Sequence, residues 1–288
     1  MSAAVAPAPP APAPAAAAAA AATALPGPQS GTLVWEPAEG AARRGTVVLL
    51  PGRGENPAVY QRFGRRLAAD GYGVHALALG PQPAPADVAA AFAAVAGTAP
   101  APVVLAGSDT GALRALAAVR EAGARPAGLL LAALPLAADA PPPGDWEEEL
   151  AARTSCPAHR GVLTADPGFG RGRFADRVPD ALLAPALEPA TVPGPDPVPS
   201  GAPSRAAPGR LPVLVLHGAA DAVAPPQAVR EFAAGLPAAV LVLVEDGRHD
   251  VLNDAAHRSV AAQTVQWLER LRVGPELPRL LTVEEPPR

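Results

Sequence analysis

The stretch 103–113 constrains the fold of this chain more than any other part of the sequence. Residues 103–106 are apolar and partly β-branched, as in a buried parallel strand, and helical periodicity follows a few residues later. Between them, Gly107, Asp109 and Gly111 have the small–x–nucleophile–x–small spacing of a sharp strand-to-helix turn. The flanking residues must be small, because larger side chains would strike the neighbouring backbone. The pattern predicts a nucleophile elbow with an aspartate at its apex.

Ser108 precedes Asp109 and is the alternative nucleophile. A turn shifted by one residue would be flanked by Ala106 and Thr110, and the β-branched Thr110 fits a crowded flank less well than Gly111 does. The spacing therefore favours Asp109 at the apex and a Ser108 side chain directed sideways, into the sheet or a pocket.

Strands and helices alternate on both sides of this turn. Predicted strands cover residues 31–35, 45–50, 71–77, 103–106, 129–133, 211–216 and 240–244. Predicted helices follow the strand ending at 50 and cover 84–96, 112–120, 227–234 and 255–271. This alternation predicts an α/β fold, with a mostly parallel central sheet flanked by helices.

Composition divides the chain into five parts. They are an Ala/Pro-rich disordered tail (1–30), the N-terminal part of the core (31–135), a Pro-rich cap and flexible loop (136–210), the C-terminal part of the core (211–274) and a C-terminal tail (275–288). Within the cap, residues 145–153 and 173–183 are candidate helices, and 193–209 is predicted to be loose. A long irregular insertion between two core strands is typical of a functional cap.

Charge and cysteine content limit the classes of partner. The net charge is −4, so nothing indicates binding to nucleic acid or an anionic membrane. Cys156 is the single cysteine, which excludes an internal disulfide and favours a cytoplasmic location. The alanine run 15–22 lacks a basic leader and is too short to cross a bilayer, so we expect no stable membrane insertion. A small-molecule substrate is the expected partner.

Asp109, Asp221 and His249 each follow a predicted strand, so we expect them at the same edge of the sheet. Their order is nucleophile, acid, base, which is the chain order of an α/β-hydrolase triad. Asp221 would orient the imidazole, and His249 would activate the nucleophile or a water. The backbone at Arg53 and Thr110 is the candidate oxyanion hole. No cofactor or metal is predicted.

Two segments resemble the monoacylglycerol lipases and related lysophospholipase-like α/β-hydrolases. Residues 47–72 are similar to their Val-His-Gly-x-Gly-Glu-His-x-x-x-Tyr segment. The C-terminal third carries their Leu-His-Gly-x-x-Asp loop at Asp221 and their Gly-x-His segment at His249, followed by Asn253. The resemblance implies an α/β-hydrolase fold and hydrolysis, without a cofactor, of a small to medium apolar substrate, an ester by family default.

The chain differs from this branch in three places. Asp109 replaces the elbow serine, Pro51 replaces the histidine before the oxyanion glycine, and residues 77–81 replace an Asp-x-x-Gly-His-Gly turn. The aspartate elbow resembles that of haloalkane dehalogenases and epoxide hydrolases, in which attack on an sp³ carbon gives an alkyl ester that water then hydrolyses. Cleavage of a C–halogen bond or an epoxide is therefore one alternative, and a non-catalytic binding module is another.

The electrophilic partners of those two enzyme classes have only weak candidates. Thr110 stands where dehalogenases place a tryptophan, which leaves Trp146 and Asn56 as possible halide ligands. Epoxide hydrolases use cap tyrosines, and Tyr60 and Tyr72 both lie outside the predicted cap.

Other polar residues have simpler interpretations. Asp221 by itself is more typical of a helix cap than of a catalytic acid, and only its combination with His249 and the elbow favours the triad. His75 and His217 are predicted to pack within the fold, and His159 with Cys156 indicates a metal only weakly, because no second ligand pair has zinc spacing. A cluster of arginines is predicted to form a solvated helix face: Arg62, Arg65 and Arg66.

Overall fold

The computed structural model describes residues 31–80, 82–136, 144–187, 210–274 and 276–281, together with the backbone of 22–24. These residues contain one sheet of eight strands. In chain order the strands are β1 (Ala22–Ala24), β2 (Leu33–Trp35), β3 (Gly45–Leu50), β4 (Tyr72–Ala76), β5 (Val103–Ser108), β6 (Gly128–Ala132), β7 (Val213–Gly218) and β8 (Ala239–Val244).

The strands lie in the order β1-β2-β4-β3-β5-β6-β7-β8. β1 and β2 pair antiparallel, as do β2 and β4, whereas every pair from β4 to β8 is parallel. Every residue of the central strands β3, β5, β6 and β7 is buried, which explains their largely apolar sequences. The predicted α/β fold with a mostly parallel sheet is confirmed.

Eight α-helices cover this sheet within the described residues. They are α1 (Gln61–Ala69), α2 (Pro85–Ala96), α3 (Thr110–Arg120), α4 (Trp146–Arg153), α5 (Pro157–Ala165), α6 (Asp180–Leu187), α7 (Pro226–Ala234) and α8 (His257–Val273). Helices α2, α3, α6 and α7 contribute to one apolar layer, and α1 and α8 to the other. The sheet is thus enclosed on both faces, and only the loops at its ends are available for a site.

The region between β6 and β7 differs from its prediction. Helix α5 was not predicted, because it is only nine residues long and its alanines and glycine leave few large apolar residues to mark a buried face. The helix predicted over 173–183 is instead a short 3₁₀ turn, Arg173–Ala175, followed by α6. Pro179 explains the division, since a proline disfavours helical backbone in the residue before it and fits the start of a new helix.

Most of the predicted N-terminal tail and all of the loose segment 193–209 lie outside the described residues. Within the tail, Ala22–Ala24 pairs with β2, so the expectation of an irregular tail is wrong at these three positions. The outer edge of β2 would otherwise have unpaired backbone N–H and C=O groups. Such groups can form hydrogen bonds with any extended segment, whatever its sequence, and this explains the additional strand. No helix of the described residues is long and apolar enough to cross a membrane.

Candidate active site

Asp109 forms the tight turn between β5 and α3. Its backbone has φ 51° and ψ −128°, a region that non-glycine residues seldom adopt. A Cβ atom at Gly107 would lie 2.2 Å from the carbonyl oxygen of Gly111, and one at Gly111 would lie 2.3 Å from that of Leu50. Positions 107 and 111 must therefore both be glycine. The close packing around them keeps Asp109 in its strained backbone conformation.

Ser108 is the last residue of β5 and is buried. Its hydroxyl interacts with that of Tyr60, on the face of the sheet covered by α1 and α8. Successive side chains of a strand point to opposite faces, so Ser108 is directed away from the turn. The structure thus has Asp109, and not Ser108, at the apex, and the shifted elbow is not formed.

His249 lies between two carboxylates. Its Nδ1 is 2.9 Å from Oδ2 of Asp221, and its Nε2 is 3.3 Å from Oδ1 of Asp109. The other oxygen of Asp221 accepts hydrogen bonds from the backbone N–H groups of Val223 and Ala224. Asp221 therefore fixes its own loop, as the capping interpretation suggested, and also orients the imidazole. The three residues predicted from strand ends are brought together.

These charges determine the protonation state. Burial opposes the charged imidazole, but the carboxylates of Asp221 and Asp109 raise the pKa of His249 to about 10. Burial also opposes ionisation of Asp109, yet Arg53 and His249 hold the pKa of this carboxyl well below its ordinary value. At neutral pH the site therefore contains an imidazolium between two carboxylates.

Arg53 binds the Asp109 carboxylate with its backbone and its side chain. Its backbone N–H and its Nε both donate to Oδ2 at 2.8 Å, and its Nη2 donates to Oδ1 at 2.9 Å. The predicted oxyanion-hole N–H of Arg53 is thus occupied by Asp109 itself. Thr110, the other predicted member, is the first residue of α3, and its hydroxyl accepts a hydrogen bond from Arg114. The sequence analysis did not predict that the Arg53 side chain binds Asp109. A charged residue within a glycine-rich turn was the feature of the sequence that could have indicated it.

Glu55 was also missed by the sequence analysis. Its carboxylate accepts hydrogen bonds from the Gly52 backbone N–H, at 2.7 Å, and from the Tyr60 hydroxyl. Burial raises the pKa of Glu55 to about 7, and the nearby charge of Asp250 adds to this shift. Glu55 therefore fixes the turn that presents Arg53. Its signal in the sequence was a single acid within a glycine-rich turn.

Phe174, in the 3₁₀ turn of the cap, covers the histidine. Its ring meets that of His249 edge-on, with 4.9 Å between ring centroids, and the guanidinium carbon of Arg153 lies 3.7 Å from the Phe174 centroid. Nη1 of Arg53 also donates to the carbonyl oxygen of Asp176 in the cap. The cap thus packs directly on the candidate catalytic residues.

A second buried ionic group lies beside the first. Arg153 contacts Glu149 at 2.9 Å and Asp250 at 3.4 Å, and Asp250 contacts Nε2 of His159 at 3.0 Å. We call these four residues the Arg153 cluster, and Asp109, Arg53, His249 and Asp221 the Asp109 cluster. Arg153 also donates to the backbone carbonyl of Arg53, so the two clusters are joined. Within the described residues, no group of three His, Cys, Asp or Glu side chains is arranged to hold a metal ion.

A cavity of about 500 Å³ opens between the cap and the loops that follow β3 and β4. Arg53 and Thr110 line it, whereas Asp109 lies behind Arg53 and is only 2% exposed. Of the candidate halide ligands, Asn56 lines this cavity but its amide donates to Asp166. Trp146 lines a separate cavity of about 270 Å³.

The remaining polar residues have structural contacts. The hydroxyls of Tyr60 and Tyr72 donate to Glu55 and Glu269, respectively. His75 lies beside Glu36, and His217 lies 2.7 Å from the carbonyl oxygen of Ala224.

The prediction of a solvated arginine face is wrong for Arg62, whose guanidinium contacts Sγ of Cys156 and donates to the carbonyl of Asn253. Its long side chain reaches from α1 to the cap. Arg65 and Arg66 are exposed, as predicted.

Solved structures of several hydrolases are similar to this chain. A soluble variant of monoglyceride lipase from Saccharomyces cerevisiae is 17% identical, with a TM-score of 0.60 over 83% of this chain and 91% of that one. The monoacylglycerol lipase of Paleococcus ferrophilus is 18% identical, with a TM-score of 0.62 over 83% and 98%. Esterase 2 of Thermogutta terrifontis is 16% identical, with a TM-score of 0.56 over 88% and 95%. At these identities the likeness establishes the fold.

No functionally curated protein matches the chain in sequence. The family model described as "Alpha/beta hydrolase family" matches residues 47–263, which include the elbow, the loop of Asp221 and His249. The match spans most of the described core, and the topology of the sheet agrees with it. The chain therefore belongs to the α/β hydrolase family.

Proposed function

We propose that this protein hydrolyses an ester of small to medium size, with Asp109 as nucleophile, His249 as acid and base, and Asp221 as the residue that orients His249. The observation that carries the proposal is the position of the Asp109 carboxylate at the strained apex, 3.3 Å from Nε2 of His249. The folds of monoglyceride lipases and an esterase support an ester as the substrate. The cavity beside Arg53 has the size of a small-molecule site.

The protonation state suits a carboxylate nucleophile. Asp109 is already ionised, so its attack on the ester carbonyl needs no base. The bond from carbonyl carbon to alcohol oxygen breaks, and the departing alkoxide takes the proton of the His249 imidazolium. This step leaves a mixed anhydride on Asp109 and a neutral His249. Because an anhydride is high in energy, we expect phenolic and other activated esters to react faster than simple alkyl esters.

The second step uses the neutral His249 as a base. Acylation removes the negative charge of Asp109, which is one of the two carboxylates that raise the pKa of His249. His249 can then accept a proton from water while the hydroxide attacks the anhydride. The carboxylic acid leaves, Asp109 regains its charge, and His249 is again an imidazolium stabilised by Asp221.

A second candidate is the opening of an epoxide or cleavage of a C–halogen bond. It is favoured by the aspartate at the apex, because attack on an sp³ carbon gives a stable alkyl ester. An epoxide suits the imidazolium better than a halide does, since the alkoxide formed on ring opening accepts the His249 proton.

The test is hydrolysis of p-nitrophenyl butyrate and of a terminal epoxide by wild type, Asp109→Asn and Ser108→Ala. We expect ester turnover that falls at least about a thousandfold in Asp109→Asn and stays within about threefold in Ser108→Ala. Loss confined to Ser108→Ala would instead identify a serine esterase. Diol formation without ester turnover would identify the second candidate, and no turnover of either would favour a non-catalytic binding module.

Trapping of the covalent intermediate separates the two reactions directly. His249→Gln retains the nucleophile but lacks the base for the second step. With p-nitrophenyl butyrate, whose phenolate leaves without a proton, the first step still proceeds and the intermediate accumulates. Mass spectrometry of the intact protein and of its peptides then identifies an acyl or an alkyl group on Asp109. The matched control is the double variant Asp109→Asn/His249→Gln, which cannot be labelled at residue 109.

We also infer a cytoplasmic location for the protein. The single cysteine, Cys156, supports this inference because a disulfide-stabilised fold is excluded. Fractionation of cells is the test, and recovery of the protein outside the cytoplasm would contradict it.

A further inference from the structure

Arg53 separates the cavity from the proposed nucleophile. Arg53 lines the cavity, and its guanidinium binds both oxygens of Asp109. Its side chain is 12% exposed, whereas that of Asp109 is 3% exposed. A substrate in the cavity therefore meets Arg53 before it reaches Asp109 or His249.

In this arrangement Asp109 is a weak nucleophile. A carboxylate whose two oxygens are bound by a guanidinium has its charge neutralised and its lone pairs engaged. Efficient attack therefore requires that Arg53 release at least one oxygen of Asp109, which a substrate without a second anion induces only rarely. A largely buried guanidinium without a partner is costly, so a second anion must take the place that Asp109 leaves.

We propose that the substrate itself carries this anion, a carboxylate, which binds the forked guanidinium of Arg53 in exchange for Asp109. This inference rests on the proposed function and narrows its substrates to esters with a carboxylate elsewhere in the molecule. A carboxylate is favoured over other anions because Nε and Nη2 of Arg53 already bind a carboxylate in the two-pronged geometry that these groups prefer.

The other charged groups of the cavity agree with an anionic ligand. Three further arginines line it: Arg114, Arg173 and Arg177. The two acids of the lining are already engaged, Glu55 with the Gly52 N–H and Tyr60, and Asp176 with Arg173 at 2.8 Å. Arg177 likewise pairs with Asp180 at 2.9 Å, and Arg114 donates to the Thr110 hydroxyl. Arginines therefore outnumber acids in the lining of the cavity, four to two, although each of these arginines also has a partner within the protein. Its volume of about 500 Å³ accommodates a small ester with a carboxylate.

Movement of Arg53 also affects the cap. Nη1 of Arg53 donates to the carbonyl oxygen of Asp176 at 3.0 Å, two residues beyond Phe174, which covers His249. A guanidinium that turns toward a ligand in the cavity gives up this hydrogen bond. Binding of the carboxylate is therefore coupled to the segment that encloses the candidate catalytic histidine.

Binding can be measured without catalysis. In wild type the Asp109 carboxylate competes with propionate for the guanidinium of Arg53, and in Asp109→Asn this competing charge is removed. In isothermal titration we therefore expect Asp109→Asn to bind propionate at least about tenfold more tightly than wild type does. Propionamide, the neutral isostere, should bind neither protein measurably. Asp109→Asn/Arg53→Gln should lose propionate binding, and Asp109→Asn/Arg66→Gln is the matched control, because Arg66 forms an exposed pair with Asp70.

Two results of this titration would overturn the proposal. One is that Asp109→Asn binds propionate no better than propionamide. The other is that inorganic phosphate binds while propionate does not, which would identify a site for a tetrahedral anion.

Turnover gives a second readout. The ratio of kcat/KM for mono-p-nitrophenyl succinate to that for p-nitrophenyl butyrate should exceed about ten in wild type and fall to about one in Arg53→Gln. A wild-type ratio of one would contradict the proposed exchange. If neither ester is hydrolysed but Asp109→Asn binds propionate as expected, the proposed function fails and the carboxylate site stands.

Discussion

The Asp109 cluster and the Arg153 cluster contain the same kinds of groups. Each has a buried histidine beside a carboxylate and an arginine that pairs with acids. They differ in backbone strain, since Asp109 has a left-handed φ and no residue of the Arg153 cluster is among the described non-glycine residues with positive φ. They also differ in access, because Arg53 lines the cavity of about 500 Å³, whereas the Arg153 cluster reaches only the cavity of about 270 Å³, through Glu149.

This difference separates a candidate reactive site from a structural one. Arg153 directs its donors to Glu149, Asp250 and the carbonyl oxygen of Arg53, and it thereby joins the cap to the core. In the Asp109 cluster, His249 is shared by two carboxylates and its Nε2 faces the strained residue. Composition alone would treat the two clusters alike. The strained backbone of Asp109 and the position of Arg53 beside the cavity of about 500 Å³ are the two features that make the Asp109 cluster the candidate for chemistry.

The largest expected difference is in activity. His249→Gln should lower kcat for p-nitrophenyl butyrate by about a thousandfold or more, because the proposed mechanism loses its acid and base. His159→Gln, the matched change in the Arg153 cluster, should alter kcat by no more than about threefold. Steady-state kinetics on both variants test this, with circular dichroism as the control for folding. Equal losses in the two variants would mean that the clusters work as one unit.

The next expected difference is in stability. Arg153→Met should lower the free energy of unfolding by about 3–5 kcal/mol, because Glu149 and Asp250 lose their cation in a fully buried place. Arg53→Met should cost less, about 2 kcal/mol, since water from the cavity can hydrate the Asp109 carboxylate. Urea denaturation measures both, and the exposed Arg66→Met is the control, with a change below about 0.5 kcal/mol. The reverse order would contradict the structural role given to Arg153.

The smallest expected effect concerns Glu55, whose pKa is raised by burial and by Asp250 to about 7, from an ordinary value of 4.5. A carboxyl with a raised pKa stabilises the fold fully below pH 4.5, and this contribution is lost as the pH rises through 7. Glu55→Gln does not ionise and its amide oxygen can still accept both hydrogen bonds. Relative to wild type, the variant should therefore gain about 2 kcal/mol between pH 4.5 and 8, after allowance for the partial exposure of Glu55.

Urea denaturation of both proteins at a series of pH values measures this gain. A difference between Glu55→Gln and wild type that stays constant with pH would show that Glu55 does not ionise in this range in the folded protein.

Much of the fold follows from local sequence patterns. The parallel strands are apolar on both faces, so their positions could be read without tertiary information. The cap was less predictable, because α5 is short and contains few large apolar residues, and because Pro179 divides a segment whose sequence suggested one continuous helix. The edge strand Ala22–Ala24 could not be foreseen from its own residues, since it depends on the free edge of β2.

The sequence by itself determined where Asp109, Asp221 and His249 would meet, because parallel strands end at one edge and the two glycines of the elbow allow only one apex. Only the tertiary structure decided what surrounds them. Arg53 is separated from Asp109 by more than fifty residues, and the cap residues that complete the site come from a different part of the chain. The charge on His249 and the salt bridge between Arg53 and Asp109 depend on groups that are far apart in the sequence. Electrostatic interactions are determined by distance in space and by burial, so only the tertiary structure shows them.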